Sequence, residues 1–404
     1  MTRHVRICME TSLRISRGIL TGITDYVRLH GGWKISYTAG GWLEQRIPAG
    51  ERFDGVIARI TSSELARDLV AFKGPIVLCD PSDPYLAPSH PLSRRSAVSN
   101  DYAHCGRLAA EHFLSCGYRH FAFVGPTYAS APGLRYDKAL STEPNWSRER
   151  REGFAVRLGA EGFSCEAYQS AANTTKATVL KDSHRRLVSW LRKLPKPVGI
   201  LTAHDARGVQ LVEACAEAGL SVPDEVGVLG VNGDPLLCAT CDPPLASVAI
   251  DAVGAGFRAA EILDKLMNGS RQDPVRCSYP ALKIDAAGST GDVHAQDPLV
   301  RQALKAIRSH PLTGLHPEAL AKSLGLSRRG LELKFSRTLD RGVAAVIRDE
   351  ALARARRLVE ESAMPFSDVA ESCGIATASH LAKLFRQTYG KTMSETRRDA
   401  HHAR

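Results

Sequence analysis

Four charged side chains follow the short segment Gly325–Ser327, and their spacing suits contacts with a nucleic acid. Leu331 and Phe335 are four residues apart, so on a helix both would face the same side, towards a core. The charged residues then lie on or near the outer face: Arg328, Arg329, Glu332 and Lys334. Arginine and lysine donate hydrogen bonds to guanine edges, and glutamate accepts one from cytosine. This helix is therefore a candidate for contacts with double-stranded DNA.

The elements around this helix form a helix-turn-helix pattern that occurs twice. In Leu315–Leu339, a first helix ends at Gly325, because glycine readily adopts the left-handed turn, and Ser327 caps the second helix. Phe366–Gly390 repeats this pattern about 50 residues later. The matching positions are Ala321 and Ala370, Gly325 and Gly374, Leu331 and Leu381, and Phe335 and Phe385. Each second helix can enter a major groove of DNA with its N-terminal residues at the base edges.

The positive charge of the chain is concentrated in this region. From Pro298 onward there are 19 Lys and Arg against 11 Asp and Glu, a net charge of +8 out of +10 for the whole chain. A basic segment of this kind binds a polyanion favourably, because neutralised phosphates release counterions. A solvated basic surface without a partner is the alternative that charge alone leaves open.

These motifs resemble the AraC/XylS family of DNA-binding domains. Ala321, Gly325 and Ser327 match its A-x3-G-x-S turn, and Ser327, Arg328, Leu331 and Phe335 match its S-R-x-x-L-x-x-x-F pattern. The resemblance implies that Arg329, Glu332 and Leu333 meet bases in the first unit. It implies the same for four residues of the second unit: Ala378, Ser379, Ala382 and Lys383. Arg328, Lys334 and Arg386 complete the candidate DNA-binding set, and His380 is expected to pack inside the domain.

Residues 1–285 show a different pattern, in which short apolar runs alternate with amphipathic helices. This order predicts parallel sheets with helices on both faces. The candidate strands are Val5–Met9, Trp33–Tyr37, Gly55–Ala58, Ile76–Cys79, Phe121–Val124, Gly199–Thr202 and Val226–Gly230. The candidate helices lie near Ser16–Leu29, Tyr102–Ser115, Arg148–Glu161, His184–Lys193 and Ala206–Ala218. Ligands of such sheets bind beyond the carboxyl ends of the strands.

Three motifs in this part resemble the periplasmic-binding-protein-like sensors of the LacI/GalR class. They are Ser99–Gly125, the R-x-x-G-F match that begins at Arg150, and the long segment from Leu201 to Asp234. The resemblance implies two lobes, non-contiguous in sequence, with a ligand cleft between them. The ligand residues that it transfers are Ser16, Asn100, Arg150, His204, Asp205 and Asn232. Arginine and carboxylate groups hold the hydroxyls of sugars well, so a small carbohydrate is expected. The resemblance implies a pentose such as xylose. Asn100 and Asn232 replace acids of the family pattern.

The remaining motifs are weaker evidence for a function. Gly254, Gly256 and Ala259 form a loose dinucleotide fingerprint, for which helix packing is the commoner explanation. Cys238 and Cys241 form a CxxC pair without a second pair at zinc spacing. We find no signal peptide and no run of about 20 apolar residues, and we expect a cytoplasmic protein that is not an enzyme and uses no cofactor or metal.

The combined prediction is a two-lobed α/β sensor in residues 1–285, a linker in residues 286–297, and an all-α domain with two helix-turn-helix units in residues 298–398. The function expected is a ligand-controlled transcription regulator, an activator that acts as a homodimer with RNA polymerase and has no contact with membranes. Two alternatives stay open. One is a sugar-binding or sugar-modifying protein with an incidental helical tail, and the other is a DNA-binding protein whose sensor is constitutive or binds a nucleoside.

Overall fold

The computed structural model describes residues 2–41, 44–126, 143–168, 177–269, 273–291, 297–309, 315–339, 341–362 and 364–402. The chain forms two compact units, Met1–Gly291 and Asp292–Arg404. The first unit includes residues 286–291, which the sequence analysis assigns to the linker. Ser289 is fully buried there, and its Oγ donates to the carbonyl of Val228 and accepts from the amide of Ala246. This segment therefore packs against the first unit. None of the helices in the described ranges is long and apolar enough to cross a bilayer.

Two six-stranded sheets form the first unit. The first sheet has the order β11-β5-β4-β3-β1-β2, and the second has the order β12-β10-β9-β8-β6-β7. All neighbouring strands pair in parallel except β10 and β12. The strands are β1 (Arg3–Cys8), β2 (Trp33–Tyr37), β3 (Gly55–Ala58), β4 (Ile76–Cys79), β5 (Ser96–Asn100), β6 (His120–Val124), β7 (Cys165–Tyr168), β8 (Val198–Thr202), β9 (Val226–Asn232), β10 (Ala246–Ile250), β11 (Arg276–Tyr279) and β12 (Ala281–Asp285). The predicted α/β fold class is confirmed.

Helices cover both sheets. Those of the first unit are α1 (Arg14–His30), α2 (Ser63–Ala71), α3 (Asp83–Leu86), α4 (Tyr102–Ser115), α5 (Asn145–Gly159), α6 (Ala177–Lys193), α7 (Asp205–Ala218), α8 (Pro235–Cys238) and α9 (Ala252–Met267), with a 3-10 helix at Pro91–Arg94. In α9, a Cβ on Gly256 would lie 1.9 Å from the carbonyl oxygen of Ile19 in α1. The loose glycine fingerprint is thus explained by close helix packing.

The chain passes three times between the two lobes, each of which contains one sheet. The first passage leads from β5 into α4 through Asp101, the second from β10 into α9 through Asp251, and the third from β11 into β12 through Pro280. The amide of Asp101 donates to the Tyr279 carbonyl over 2.9 Å, and the amide of Asp251 donates to the Pro280 carbonyl over 3.2 Å. The three passages therefore lie side by side as a hinge.

The second unit is helical throughout its described residues. Its helices are α10 (Pro298–Ser309), α11 (Pro317–Ser323), α12 (Arg328–Leu339), α13 (Val343–Glu361), α14 (Phe366–Ser372), α15 (Ala378–Tyr389) and α16 (Met393–His402). One apolar core includes Leu331 and Phe335 of α12 together with Leu381 and Phe385 of α15, all fully buried. The repeated i, i+4 pairs thus face inward in both helix-turn-helix repeats, as predicted.

Candidate ligand cleft and DNA-binding surface

The carboxyl edge of the first sheet carries a buried cluster of polar side chains. Glu10 follows β1, and its Oε1 accepts from Ser16 Oγ over 2.7 Å and from Arg59 Nη1 over 2.5 Å. Ser16 and Glu10 are both fully buried. Glu10 Oε2 has no hydrogen-bond partner among the described residues. A buried acceptor without a donor is costly, so this oxygen is suited to a ligand hydroxyl. The sequence analysis identified Ser16 here but missed Glu10 and Arg59.

Asp80, which follows β4, organises the hinge side of the same edge. Its Oδ1 accepts from the Asn100 amide over 2.9 Å and the Tyr102 hydroxyl over 3.0 Å, and its Oδ2 accepts from the Tyr279 hydroxyl over 2.7 Å. The side chain of Asn100 donates to the Tyr279 carbonyl and accepts from the Cys105 thiol. Asn100 therefore ties two hinge passages together, which differs from the ligand contact predicted for it.

Arg150 lies on the second lobe with 3 % of its surface exposed. Its Nη1 donates to the Ala203 carbonyl over 2.6 Å and its Nη2 to Asn232 Oδ1 over 3.1 Å. The guanidinium carbon lies 5.4 Å from the ring centre of Tyr102 and 5.6 Å from that of Trp146. Arg150 Nε is buried without a hydrogen-bond partner among the described residues. The arginine is thus held in place while one donor stays available, and the aromatic faces around it suit stacking on a sugar.

His204 follows β8, and Asn232 is the last residue of the neighbouring strand β9, so both lie at the carboxyl edge of the second sheet. His204 caps α7 by accepting from the Arg207 amide, and its ring centre lies 5.8 Å from that of Trp146. Burial, with the nearby charges of Arg150 and Arg207, lowers the pKa of His204 to about 3. The imidazole is therefore neutral at physiological pH. Asn232 has a φ of +110°, a strained value for a residue with a side chain, and such strain is commonest at functional sites.

Asp205 holds the structure behind this edge. Its Oδ1 accepts from Ser247 Oγ over 2.5 Å and its Oδ2 from the Asp234 amide over 2.7 Å. Burial raises the pKa of Asp205 to about 7. Both carboxylate oxygens are thus used inside the lobe, which argues for a supporting role instead of the predicted ligand contact.

Contacts between the lobes join the two carboxyl edges. Arg14 Nη1 donates to the Asn232 carbonyl over 3.0 Å. Arg17 lies 3.6 Å from an Asp234 oxygen. Arg148 of α5 pairs with Asp83 over 2.9 Å. The edges therefore face each other, and the sequence-predicted Ser16, Arg150, His204 and Asn232 lie beside the same interlobe space.

The CxxC pair lies at the end of α8 and just after it. Cys241 Sγ is 3.8 Å from the Cys238 carbonyl oxygen. Burial raises the pKa of both thiols, so both are protonated at neutral pH. Protonated thiols are poor nucleophiles and poor metal ligands.

In the second unit, both turns have the geometry that the sequence predicts. Gly325 and Gly374 have φ values of +68° and +69°. Ser327 Oγ accepts from the Gly330 amide, and Thr377 Oγ1 accepts from the His380 amide, each over 3.1 Å. These caps fix where the second helix of each unit begins, and with it the residues that its first turn presents.

The structure separates the candidate residues of α12 into free and engaged side chains. Arg329 is exposed and makes no salt bridge with any described residue. Leu333 is 50 % exposed, as a contact with a thymine methyl requires. Arg328 pairs with Glu318 and Lys334 with Asp297, so these two cations are partly neutralised. Arg329 is thus the strongest candidate of this helix for a base contact.

In α15, the exposed candidates are Ser379, Ala382, Lys383 and Arg386, and Ala378 is half-buried. Neither Lys383 nor Arg386 makes a salt bridge within the described part of the chain. His380 is exposed, so the expectation that it packs inside the domain is wrong. Its amide is held by the Thr377 cap, which turns the side chain outward at the start of the helix.

Glu332 has a local partner that the sequence analysis missed. Its Oε2 accepts from the Val343 amide over 3.1 Å, in the first turn of α13, whose N-cap residue is Gly342. Glycine has no side chain for this purpose, so Glu332 supplies the cap from the preceding helix. This contact argues against the predicted base contact of Glu332.

We expect Glu332→Ala to loosen the start of α13 by about 1 kcal/mol, because an unsatisfied helix amide replaces a capped one. Hydrogen exchange of the amides of residues 328–361 in the full chain should then become about fivefold faster. Glu332→Gln keeps an acceptor oxygen and should exchange nearly as the unchanged chain does. Unaltered exchange together with a relaxed preference at one base pair would instead assign Glu332 to DNA.

Comparison with known proteins agrees with this division. The periplasmic binding protein-like domain family matches residues 110–290, and the helix-turn-helix domain family matches residues 320–399. The Xylose operon regulatory protein of Escherichia coli (strain K12) is 28% identical, over 85% of this chain and 83% of that protein. Its namesake from Haemophilus influenzae is 26% identical, over 74% of each. The chain is an AraC-type transcription regulator with a periplasmic-binding-protein-like sensor.

A solved structure is similar to this chain over nearly its whole length. It is described as the structure of the xylose-binding transcription activator xylR, and it is 24% identical, covers 98% of both chains and has a TM-score of 0.72. The likeness shows that the regulator has this fold. Regulators of this kind bind DNA, and their family is not one of enzymes.

Proposed function

We propose that the regulator binds specific DNA under the control of a small carbohydrate held between the lobes of its sensor. The observation that carries this proposal is the facing pair of polar edges, where Glu10 Oε2 and Arg150 Nε are buried without partners among the described residues. Both atoms suit the hydroxyls of a sugar. The names of the relatives favour a pentose such as xylose.

The mechanism follows from the hinge. A sugar that bridges Glu10 of one lobe and Arg150 of the other binds the closed arrangement better than an open one, and only such a difference can shift the population. A coupling of about 1–3 kcal/mol is typical. In a cytoplasmic homodimer, closure would reposition the two DNA-binding units on adjacent half-sites and favour recruitment of RNA polymerase. Activation is the outcome that we propose.

DNA recognition is tested by a mobility-shift assay with DNA from upstream of the gene, with and without sugar. We expect Arg329→Ala to weaken specific binding by about 1–3 kcal/mol and to relax the preference at one base position. Arg329 is exposed at the start of α12 and forms no salt bridge with a described residue, so it can reach a base edge. Binding measured across a set of single-base variants of the site shows whether the loss is confined to one position.

Arg337→Ala is the matched control, because Arg337 is exposed at the far end of the same helix. It should weaken binding to all sequences alike, as loss of a phosphate contact does. An equal loss on every sequence for Arg329→Ala would assign that residue to phosphate instead. Absence of any shift by the unchanged chain, with or without sugar, would contradict the regulator function.

A further inference from the structure

Arg150 and Arg207 are buried in the second lobe, and neither forms a salt bridge with a residue that the structure describes. Arg150 donates to the Ala203 carbonyl and to the amide oxygen of Asn232, both of which are neutral acceptors. Within the described part of the chain, no carboxylate lies within 4 Å of it. A buried guanidinium normally has a carboxylate partner, because desolvation of an uncompensated charge is expensive.

Arg207 is the second of these arginines, and only 4 % of its surface is exposed. Its Nε donates to the Gly125 carbonyl over 3.1 Å and its Nη1 to Gln210 Oε1 over 2.9 Å, again neutral acceptors. Its Nη2 is buried without any hydrogen-bond partner among the described residues. Burial lowers the pKa of Arg207 to about 10, so the side chain stays cationic at neutral pH.

The described groups around these arginines supply only part of a balancing negative charge. Asn232 carries an amide. Asp205 acts electrostatically on Arg150, but burial raises the pKa of Asp205 to about 7, so its carboxyl is only partly ionised at neutral pH. Arg150 donates to the carbonyl of Ala203, just after β8, and Arg207 donates to the carbonyl of Gly125, just after the neighbouring strand β6, so both guanidinium groups lie at the same carboxyl edge. Burial, and then the charges of both arginines, lower the pKa of His204 at this edge. The carboxyl edge of the second sheet is therefore a positively charged and desolvated surface.

The opposite edge has the reverse character. Glu10 has a free buried oxygen, and Asp80 accepts from the hydroxyls of Tyr102 and Tyr279. Acceptors of this kind bind the hydroxyl groups of a polyol. A molecule that spans the interlobe space thus meets hydroxyl acceptors on one side and, on the other, two arginines that form no salt bridge with any described residue.

We infer that the effector is an acidic monosaccharide, whose hydroxyls bind the first lobe and whose anionic group binds Arg150 and Arg207 of the second. The inference rests on the proposed function and narrows its ligand class from sugars to sugars that carry a carboxylate or a phosphate. Bonds from arginine to such groups are about twice as strong as neutral ones, and they bring to both arginines the salt-bridge partner that the described residues do not provide. Arg207 is thereby assigned as a specificity-determining residue.

The test is calorimetric titration of the full chain with matched neutral and acidic probes at one ionic strength. The probes are xylose, xylonate and xylose 5-phosphate, and glucose, gluconate, glucuronate and glucose 6-phosphate. We expect one acid to bind at least 100-fold more tightly than its neutral counterpart, and the carboxylate and phosphate arms show which anion is used. Arg207→Gln should lower the affinity for that acid at least tenfold and change the affinity for the neutral sugar less than threefold. Arg28→Gln is the control: it removes the same charge at a side chain that is 78% exposed, and it should change neither the affinity for the acid nor that for the neutral sugar.

A neutral sugar that binds as tightly as its acid would overturn the inference, as would failure of every acid to bind. These results come from the unchanged chain, so they hold even if Arg207→Gln does not fold. If a neutral sugar binds as tightly as its acid and alters the mobility shift of DNA, the inference fails while the proposed function stands. If the chain binds no DNA under any condition, the proposed function itself fails.

Discussion

Replacing Gly106 with alanine is expected to destabilise the first unit by about 3 kcal/mol, because the new methyl group has no space. Gly106 lies in α4, and a Cβ there would be 2.1 Å from the Arg150 carbonyl oxygen and 2.5 Å from the Phe154 amide nitrogen of α5. Both are backbone atoms, which cannot rotate away as a side chain can. The two helices must therefore separate, and α5 carries Arg150 with it. Sugar binding should be lost together with stability.

Tryptophan fluorescence during unfolding in urea measures this loss. The four tryptophans of the chain, Trp33, Trp42, Trp146 and Trp190, all belong to the first unit, so the signal reports that unit alone. Gly159→Ala is the matched control, because Gly159 ends α5, the helix that packs on Gly106, and a Cβ there meets no atom within 4 Å. This control should be neutral or stabilise by up to about 1 kcal/mol. Equal stability of the Gly106→Ala and Gly159→Ala chains would show that α4 and α5 can adjust at little cost.

The strands that the sequence predicts are those with continuous apolar runs, such as β3 and β4, whose residues are all buried. The missed strands are short and polar or lie next to the hinge. Among them, β5 has the sequence SAVSN and β11 the sequence RCSY. Their place in the sheet depends on passages between lobes, and residue types alone do not reveal such passages.

The sequence motifs predicted that Ser16, Arg150, His204 and Asn232 lie beside the interlobe space. They did not predict the hydrogen-bond partners of the polar side chains. Asn100 bonds to Tyr279, which is 179 residues away, and Asp205 bonds to Ser247, 42 residues away. Partners this distant in sequence are invisible without the fold. By contrast, Glu10, Arg59 and Asp80 come directly or soon after β1, β3 and β4. Their position after a strand is a signal that could have identified them.

The same limit applies to the DNA-binding units. Periodicity located both turns and both buried pairs, because helix geometry is local. The partners of Lys334 and Glu332 are Asp297 and Val343, which belong to other elements of the unit. An outward position on a helix therefore does not by itself make a charged side chain free for DNA.

The probe is the sugar or sugar acid that raises the melting temperature of the unchanged chain most. Arg150→Ala is expected to reduce the affinity for this probe at least 100-fold. This loss corresponds to about 2.7 kcal/mol. The cause is local: the guanidinium lies against the rings of Tyr102 and Trp146, is fixed by the Asn232 amide oxygen, and keeps a buried Nε for a ligand. Calorimetric titration gives the affinity directly.

Arg150→Lys separates charge from geometry. Lysine keeps the positive charge but lacks the planar fork of donors, so it cannot bond to Ala203, Asn232 and a ligand at once. An affinity between those of the unchanged and the alanine chains would show that both charge and geometry contribute. If Arg150→Ala binds the probe as the unchanged chain does, the arginine serves only to join Asn232 to the strand end at Ala203. The cleft would then have to hold its ligand through the first lobe alone.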